Sequence, residues 1–176
     1  MTADTCFLRD VIRDVPDFPE PGVTFKDITP LLARVDCFRF TIDALADHFS
    51  GLGIDMVAGI DARGFIIAAP VAYRLGAGFV PVRKPGKLPS DRLTEHYDLE
   101  YGTDAVELHT GSFDSGSRVL VIDDVLATGG TAAATIALLV RAGAEIAGLG
   151  FLCEIESLAG RGRLGGHDVT ALVSYP

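Results

Sequence analysis

The sequence predicts an α/β fold in which a central, mostly parallel sheet is flanked by helices. Two short apolar runs, residues 56–60 (MVAGI) and 119–122 (VLVI), each lead through a short loop into an apolar segment of helical length. A glycine closes each of these helical segments, Gly76 in the first and Gly143 in the second. A repeated strand, loop and helix is typical of parallel sheets, because the helix returns the chain to the starting edge.

Two further elements follow from the spacing of apolar residues. Residues 37–52 place large apolar side chains at helical intervals and predict a helix: Phe38, Ile42, Leu45 and Phe49. Residues 79–82 (FVPV) lie between Gly78 and a charged, proline-containing segment, which predicts another short strand.

Two segments outside this repeat have their own signals. Residues 98–109 alternate weakly on either side of Gly102, which predicts a polar β-hairpin that projects from the sheet. Residues 16–32 contain four prolines, at positions 16, 19, 21 and 30, and predict an extended, rigid covering segment.

Composition excludes several classes of protein. The chain has 176 residues, 48% of them hydrophobic, and no apolar run reaches the ~18 residues of a membrane span. The net charge of −9 disfavours broad contact with nucleic acid or anionic lipid. Three cysteines form no CxxC pair and fit a reducing cytoplasm, and the four histidines lack metal-ligand spacing. We expect residues 1–176 to form one cytoplasmic domain.

Charged side chains follow all three predicted strands. In chain order the pairs are Asp61 with Arg63, Arg83 with Lys84, and Asp123 with Asp124. The carboxyl ends of parallel strands meet at one edge of the sheet, where α/β proteins bind ligands, so these loops should share one site. Residues 83–92 contain four basic residues and one acidic residue, a local balance of +3 that indicates a specific anionic ligand.

Residues 123–131 (DDVLATGGT) are the most specific feature of the sequence. Gly129 and Gly130 let successive N–H groups point at one anion, and the dipole of the following helix attracts a phosphate. Thr128 and Thr131 add hydroxyl donors, and the two acids before the turn suit the vicinal hydroxyls of a ribose. Gly130 stands where a Walker loop needs lysine, and no GxGxxG follows a strand. The pattern therefore predicts a nucleotide or sugar-phosphate site of another kind.

Residues 119–131 resemble the signature of the type I phosphoribosyltransferase family. Four further segments, FPEPGVTFKDITPLL, ARGF, RKPGKLP and LEYGTDAVELH, are similar to its adenine-specific branch, in the same order. The match runs from about Val15 to Tyr175. It implies a type I phosphoribosyltransferase-like fold with a β-hairpin flap, at residues 93–109, and an N-terminal hood segment. The implied reaction joins adenine to 5-phosphoribosyl-1-diphosphate and gives AMP and diphosphate in purine salvage. Mg²⁺ would be bound mainly through the substrate, and the assembly would be a homodimer.

The resemblance also implies how the residues share the substrates. Phe25, beside Lys26, would stack on the base, with Leu126 on the other face of the ring. Asp123 and Asp124 would hold the ribose hydroxyls. The 5′-phosphate would be held by Ala127, Thr128, Gly129, Gly130 and Thr131.

The resemblance further implies which residues hold the diphosphate and that two residues, Arg63 and Glu100, are catalytic. The diphosphate would be held by Asp61, Ala62 and Arg63, with Lys84 and Lys87 neutralising its charge, and Arg83 and Tyr101 would also bind substrate. Arg63 would neutralise the negative charge that grows on the departing diphosphate. Glu100, next to Tyr101 on the flap, would handle the proton of the purine ring.

From the residues alone, ordinary structural alternatives stay open. Glu100 could be an exposed hairpin residue, Phe25 a core residue and Arg63 a surface ion-pair partner, while Lys84 and Lys87 could belong to a solvated loop. Two other functions also stay open. A regulatory protein could bind the sugar diphosphate without catalysis, although the charge of −9 disfavours the nucleic-acid contact that such proteins need. A sister transferase could act on xanthine, guanine or another base.

Overall fold

A five-stranded parallel sheet forms the centre of the computed structural model, which describes residues 6–99 and 102–176. The helices are α1 (Cys6–Val11), α2 (Thr29–Leu32), α3 (Val35–His48), α4 (Gly64–Leu75) and α5 (Gly130–Arg141). The strands are β1 (Arg13–Pro16), β2 (Thr24–Asp27), β3 (Met56–Ile60), β4 (Gly78–Val82), β5 (Arg92–Leu99), β6 (Gly102–His109), β7 (Arg118–Leu126), β8 (Glu145–Ile155) and β9 (Val169–Tyr175). The order in the sheet is β4-β3-β7-β8-β9, and all neighbours are parallel. The predicted α/β fold is confirmed.

Strand β7 lies in the middle of the sheet because it is apolar on both faces. Residues 119–122 are all 0% exposed. Leu120 and Ile122 pack in one hydrophobic cluster and Val119 and Val121 in the other, as the alternation of side chains along a strand requires. Helices α3 and α4 cover the first face, and α5 and the β5–β6 hairpin cover the second.

Both helices of the repeated unit end near the predicted glycines. Helix α4 is capped by Gly76, whose φ of 68° is left-handed. Helix α5 ends at Arg141. Ala142 and Gly143 follow it, and Gly143 has a φ of 98°. Within the described ranges, no helix is long and apolar enough to cross a membrane.

The N-terminal segment is not the extended cover that its prolines predict. Strands β1 and β2 form an antiparallel hairpin that pairs Val15 with Phe25, and the short helix α2 follows. Two of the four prolines lie in the connection between the strands, and Pro30 lies in the first turn of α2, where a missing N–H costs nothing. Ile28 and Leu31 are buried in the first cluster, so this segment also belongs to the core.

The predicted hairpin is present, but it is longer and less polar than residues 98–109 suggest. Strand β5 already begins at Arg92, which pairs with His109 at the end of β6. Val106 and Leu108 are buried in the second cluster, so β6 lies against the core and does not project from it. The prediction of a projecting hairpin was wrong because one face of β6 is buried. The weak alternation of its sequence reflects one solvent-exposed face and one buried face.

Candidate active site

A cavity of about 790 Å³ opens at the carboxyl ends of β3 and β7. The predicted site residues that line it are Phe25, Lys26, Asp61, Ala62, Arg63, Lys84, Asp123, Asp124, Ala127 and Thr131. Residues from four separate segments of the chain therefore meet at the sheet edge where the topology places ligands.

Arg63 lies between an aromatic ring and a carboxylate. Its guanidinium carbon is 4.5 Å from the ring centroid of Phe25, and its Nη2 atom is 2.8 Å from Oδ2 of Asp124. Nη1 of Arg63 and Oδ2 of Asp124 are buried and make no aligned hydrogen bond among the described residues. The pair is thus an ionic contact that leaves hydrogen-bonding capacity at the cavity wall.

The two acids belong to the end of β7 and not to the loop after it, because this strand continues through Leu126. Burial raises the pKa of Asp123 well above its ordinary value, and the neighbouring charge of Asp124 raises it further. Burial also raises the pKa of Asp124, against the opposing effect of Arg63. Asp124 is 5% exposed and Asp123 is partly buried. Two adjacent carboxyl groups in such surroundings gain most from a ligand that brings hydroxyl donors or positive charge.

Gly64 is a site residue that sequence reasoning missed. A Cβ atom at this position would lie 2.6 Å from Oδ1 of Asp123 and 3.1 Å from the carbonyl oxygen of Ile122. The first turn of α4 therefore approaches β7 too closely for any side chain. This approach carries Arg63, the preceding residue, to the carboxylate of Asp124. The available signal was a glycine between the strand and helix of a repeated unit.

The glycine turn before α5 forms a second, smaller cavity of about 80 Å³. Gly129 has a φ of 78° and precedes the first residue of α5, Gly130, so the helix begins at the turn. Thr128, Gly129 and Gly130 line this small cavity, and Asp123, Ala127 and Thr131 line both cavities. The large cavity therefore adjoins a helix N-terminus of the kind that binds phosphate.

Leu126, which we predicted to face the base opposite Phe25, does not line the large cavity that contains Phe25; it lines the small cavity at the glycine turn. It is 1% exposed and packs in the second hydrophobic cluster, at the back of the glycine turn. Its neighbour Val125 lines the large cavity instead. Because β7 continues to residue 126, the alternation of side chains turns Val125 outward and Leu126 inward.

The three basic residues of the 83–87 loop have different surroundings. Lys84 lines the large cavity. Arg83 donates from Nε to Oδ2 of Asp61 at 3.0 Å, and its backbone bridges Glu107 of β6. Lys87 is exposed and lines neither cavity. The structure therefore brings only Lys84 of the three into the candidate site.

Tyr97 is a second residue that sequence reasoning missed. Its hydroxyl lies 2.8 Å from Nζ of Lys84, 2.9 Å from Oδ2 of Asp104 and 3.0 Å from Oγ1 of Thr131. Burial lowers the pKa of Lys84, but hydrogen bonds to Asp104 and Tyr97 outweigh it and raise this pKa overall. The hairpin is thereby joined to both the basic loop and the glycine turn. The predicted flap residues Glu100 and Tyr101 lie outside the described residues.

Comparisons with known proteins identify the family of the chain. The family model of the phosphoribosyl transferase domain matches residues 22–170. The adenine phosphoribosyltransferase of Thermobifida fusca is 55% identical over 175 residues, which cover 99% of each chain.

Two solved structures are similar over nearly their whole length. The adenine phosphoribosyltransferase of Thermoanaerobacter pseudethanolicus has a TM-score of 0.95 at 46% identity, covering 97% of this chain and 99% of its own. That of Saccharomyces cerevisiae, complexed with adenine and an imino-altritol 1,6-bisphosphate, has a TM-score of 0.90 at 36% identity, covering 96% and 97%. The chain therefore belongs to the phosphoribosyltransferase family and, within it, to the adenine phosphoribosyltransferases.

Proposed function

We propose that the chain transfers the phosphoribosyl group of 5-phosphoribosyl-1-diphosphate to adenine, giving AMP and diphosphate in purine salvage. The observation that carries this proposal is the junction of two cavities at one sheet edge, one walled by Phe25 and Arg63 and one at the N-terminus of α5. The Saccharomyces cerevisiae relative was crystallised with adenine and a bisphosphate together, which supports a base site and phosphate sites in one protein.

The glycine turn is the proposed site of the 5′-phosphate. The N–H groups of Gly129 and Gly130 and the hydroxyls of Thr128 and Thr131 supply its donors, and the dipole of α5 adds attraction. Asp123 lines both cavities, so the proposed ribose lies between the phosphate and the base, with hydroxyls that donate to this carboxylate.

The proposed base lies in the large cavity, against the ring of Phe25. Arg63 and Lys84 supply positive charge in the same cavity, where the diphosphate would leave. As the bond between C1′ and the diphosphate oxygen breaks and the bond from N9 forms, negative charge grows on the leaving group. Fixed cations stabilise that charge because they need no reorganisation when it develops. Glu100 is proposed to take the N9 proton.

Mg²⁺ fits the donor set at this site. No cluster of three or more metal-ligating side chains occurs in residues 6–99 and 102–176, so these residues offer no closed protein cage. Mg²⁺ is typically held by one or two carboxylates together with substrate phosphates and water, and Asp123 and Asp124 offer such carboxylates. When bound, the ion would neutralise part of the charge on the diphosphate.

The chain is proposed to act as one domain over residues 1–176 and as a homodimer. Both hydrophobic clusters pack against the same sheet, which supports one domain. Helix α4 exposes Ile66 (44%) and Tyr73 (87%), two turns apart on one face, and Phe79 of edge strand β4 is also exposed (37%) and contacts Phe65 of the same helix. A second copy of the chain is the proposed cover of this face. Lys87 is exposed and lines neither cavity of its own chain, and in the proposed dimer it would complete the site of the partner.

A cytoplasmic location is also proposed. Cys37 and Cys153 are free and 0% exposed, as expected of thiols kept reduced and used as small apolar side chains. Cell fractionation with an antibody against the chain tests this location.

A steady-state assay tests the proposed reaction. Purified protein is given 5-phosphoribosyl-1-diphosphate and Mg²⁺ with adenine, hypoxanthine, guanine or xanthine, and diphosphate release is followed. We expect turnover with adenine and a much lower kcat/KM with the other three bases. Preference for another base would indicate a sister transferase, and binding without turnover would indicate a regulatory protein.

A further inference from the structure

The glycine turn before α5 rests on another turn about thirty residues later in the chain. A Cβ atom on buried Gly160 would fall well within 3.0 Å of the carbonyl oxygen of Ala127 and at 3.1 Å from the amide nitrogen of Gly129. A Cβ atom on Gly129 would in turn strike the carbonyl oxygen of Gly160. The two backbones are therefore in direct contact, with no space for a side chain between them.

The turn that carries Gly160 is held by Arg161. Its Nε donates to both oxygens of Glu154, at 2.7 and 2.8 Å, and its Nη2 donates to Oε2 at 2.6 Å. Its Nη1 donates to the carbonyl oxygen of Val169, the first residue of β9, at 2.6 Å. One guanidinium thus ties the turn to two neighbouring strands through a forked, charge-assisted contact.

Glu154 is placed to transmit this contact to the phosphate site. It is 5% exposed, and in the parallel pairing of β7 with β8 it lies opposite Leu126, the last residue before the glycine turn. Within the described part of the chain, no side chain makes a capping hydrogen bond at the N-terminus of α5. The conformation of the glycine turn therefore depends on what packs against it. The backbone of Gly160 supports it at Ala127 and Gly129, and Tyr97 lies against Gly130 and Thr131.

We propose that Arg161 and Glu154 are positioning residues for the phosphate site: their ion pair holds Gly160 against Ala127 and Gly129, and so fixes the N–H groups that face the anion. This inference rests on the proposed role of the glycine turn in binding the 5′-phosphate. An anion site built from backbone donors is sensitive to small displacements, since a shift of ~1 Å can cost about a hundredfold in activity. Neither residue lines the large cavity or the small cavity at the glycine turn.

The test compares two ligands of the ligand-free protein by calorimetry. Ribose 5-phosphate probes the glycine turn, and diphosphate probes Arg63 and Lys84. We expect Arg161→Ala to weaken ribose 5-phosphate binding by about 10- to 100-fold, as loss of a supporting contact commonly does, and to leave diphosphate binding within twofold. Glu154→Gln, which keeps two acceptor or donor atoms in place, should lose less, and Arg161→Lys should restore part of the affinity.

Two controls keep the outcome decisive. Arg34→Ala removes an exposed arginine whose partner, Asp36, lies two residues away, and should change neither affinity. Gly160→Ala disturbs the same contact without touching the ion pair, and should reproduce the selective loss if Arg161→Ala does not fold. Equal weakening of both ligands, or unchanged ribose 5-phosphate binding in folded Arg161→Ala, would overturn the positioning role. Failure of the wild-type protein to bind ribose 5-phosphate would instead overturn the proposed role of the glycine turn, and the inference with it.

Discussion

The hydroxyl of Tyr97 lies 3.0 Å from the hydroxyl of Thr131, and this contact joins the hairpin to the turn that begins α5. A phenol has one proton to donate and can accept from others. Lys84 must donate to it and Asp104 must accept from it, so Thr131 is left as the donor in this contact. The hydroxyl proton of Thr131 is thus already used in the ligand-free protein, and an incoming phosphate has to compete for it.

Tyr97→Phe should therefore separate stability from phosphate binding. Loss of the hydroxyl removes hydrogen bonds between the hairpin and the rest of the protein, and we expect the free energy of unfolding to fall by about 1 kcal/mol. Ribose 5-phosphate binding should not weaken, because Thr131 is released. Thermal unfolding and calorimetry check both parts. Weaker binding at unchanged stability would show that Tyr97 supports the phosphate site.

Arg63→Ala should lower kcat more than it weakens the binding of the product AMP. We expect kcat to fall by about 10²- to 10³-fold, as for removal of one fixed group that stabilises developing charge. Binding of diphosphate should weaken more than binding of AMP, because only diphosphate carries the group that Arg63 would contact. Arg63→Lys should recover part of kcat. Equal weakening of both ligands would mean that Arg63 only orders Asp124 and Phe25.

Asp123→Asn should stabilise the ligand-free protein at neutral pH. Burial raises the folded-state pKa of Asp123 above its unfolded-state value, so wild-type stability falls as pH rises through that interval. Asparagine lacks this cost, and Oδ1 can still accept from the N–H of Asp124. We expect a gain of about 0.5–2 kcal/mol near pH 7.5 that vanishes below about pH 4, where both forms are neutral.

Thermal unfolding across that pH range measures the effect of Asp123→Asn. Asp114→Asn, a change at an exposed acid, is the matched control and should give a small difference at every pH. Ribose 5-phosphate binding should weaken in Asp123→Asn, so the same variant would gain stability and lose function. A loss of stability at neutral pH would contradict the cost assigned to burial of this carboxyl group.

Glu100→Gln tests the proposed proton transfer. A group that acts in the transition state lowers kcat and kcat/KM together when it is lost, and we expect a fall of about 10²- to 10⁴-fold in both. The pH dependence of kcat/KM should also lose one ionisation. Wild-type kcat in Glu100→Gln across the pH range would leave catalysis to charge neutralisation and base positioning.

Ile66→Glu and Tyr73→Glu test the proposed homodimer. Light scattering should give twice the chain mass for the wild type, and either change should shift the protein toward monomer, since a buried unpaired carboxylate opposes association. Val35→Glu alters another exposed apolar residue, on α3, and should leave the mass unchanged. A wild-type monomer with full activity would refute the homodimer.

Local patterns were sufficient for the sheet and for most residues of the candidate site. The apolar run 119–122 and the glycines at 76 and 129 specify their conformations by composition alone. The prediction misplaced Leu126 because the side of the sheet on which its side chain lies depends on where β7 ends. Pairing with β8 sets that end. Gly64 had a local signal, its place between the strand and the helix of a repeated unit. Tyr97 and Arg161 were missed because each acts through a contact with another segment, and a single sequence carries no signal for that contact.

The buried Cys153 thiol can report how often the strands beneath the candidate site open. It lies in β8 opposite Val125, and burial raises its pKa to about 12, so at neutral pH it is protonated and unreactive. Because Cys153 is 0% exposed, maleimide can reach it only when the packing around β8 opens, and its labelling rate therefore measures how often that opening occurs. A ligand that binds the closed form slows the labelling of Cys153, and the more so the higher its occupancy. Mass spectrometry of the labelled peptide distinguishes Cys153 from the other thiols. The labelling rate of Cys153 thus measures local opening next to β7, the strand on which both acids lie.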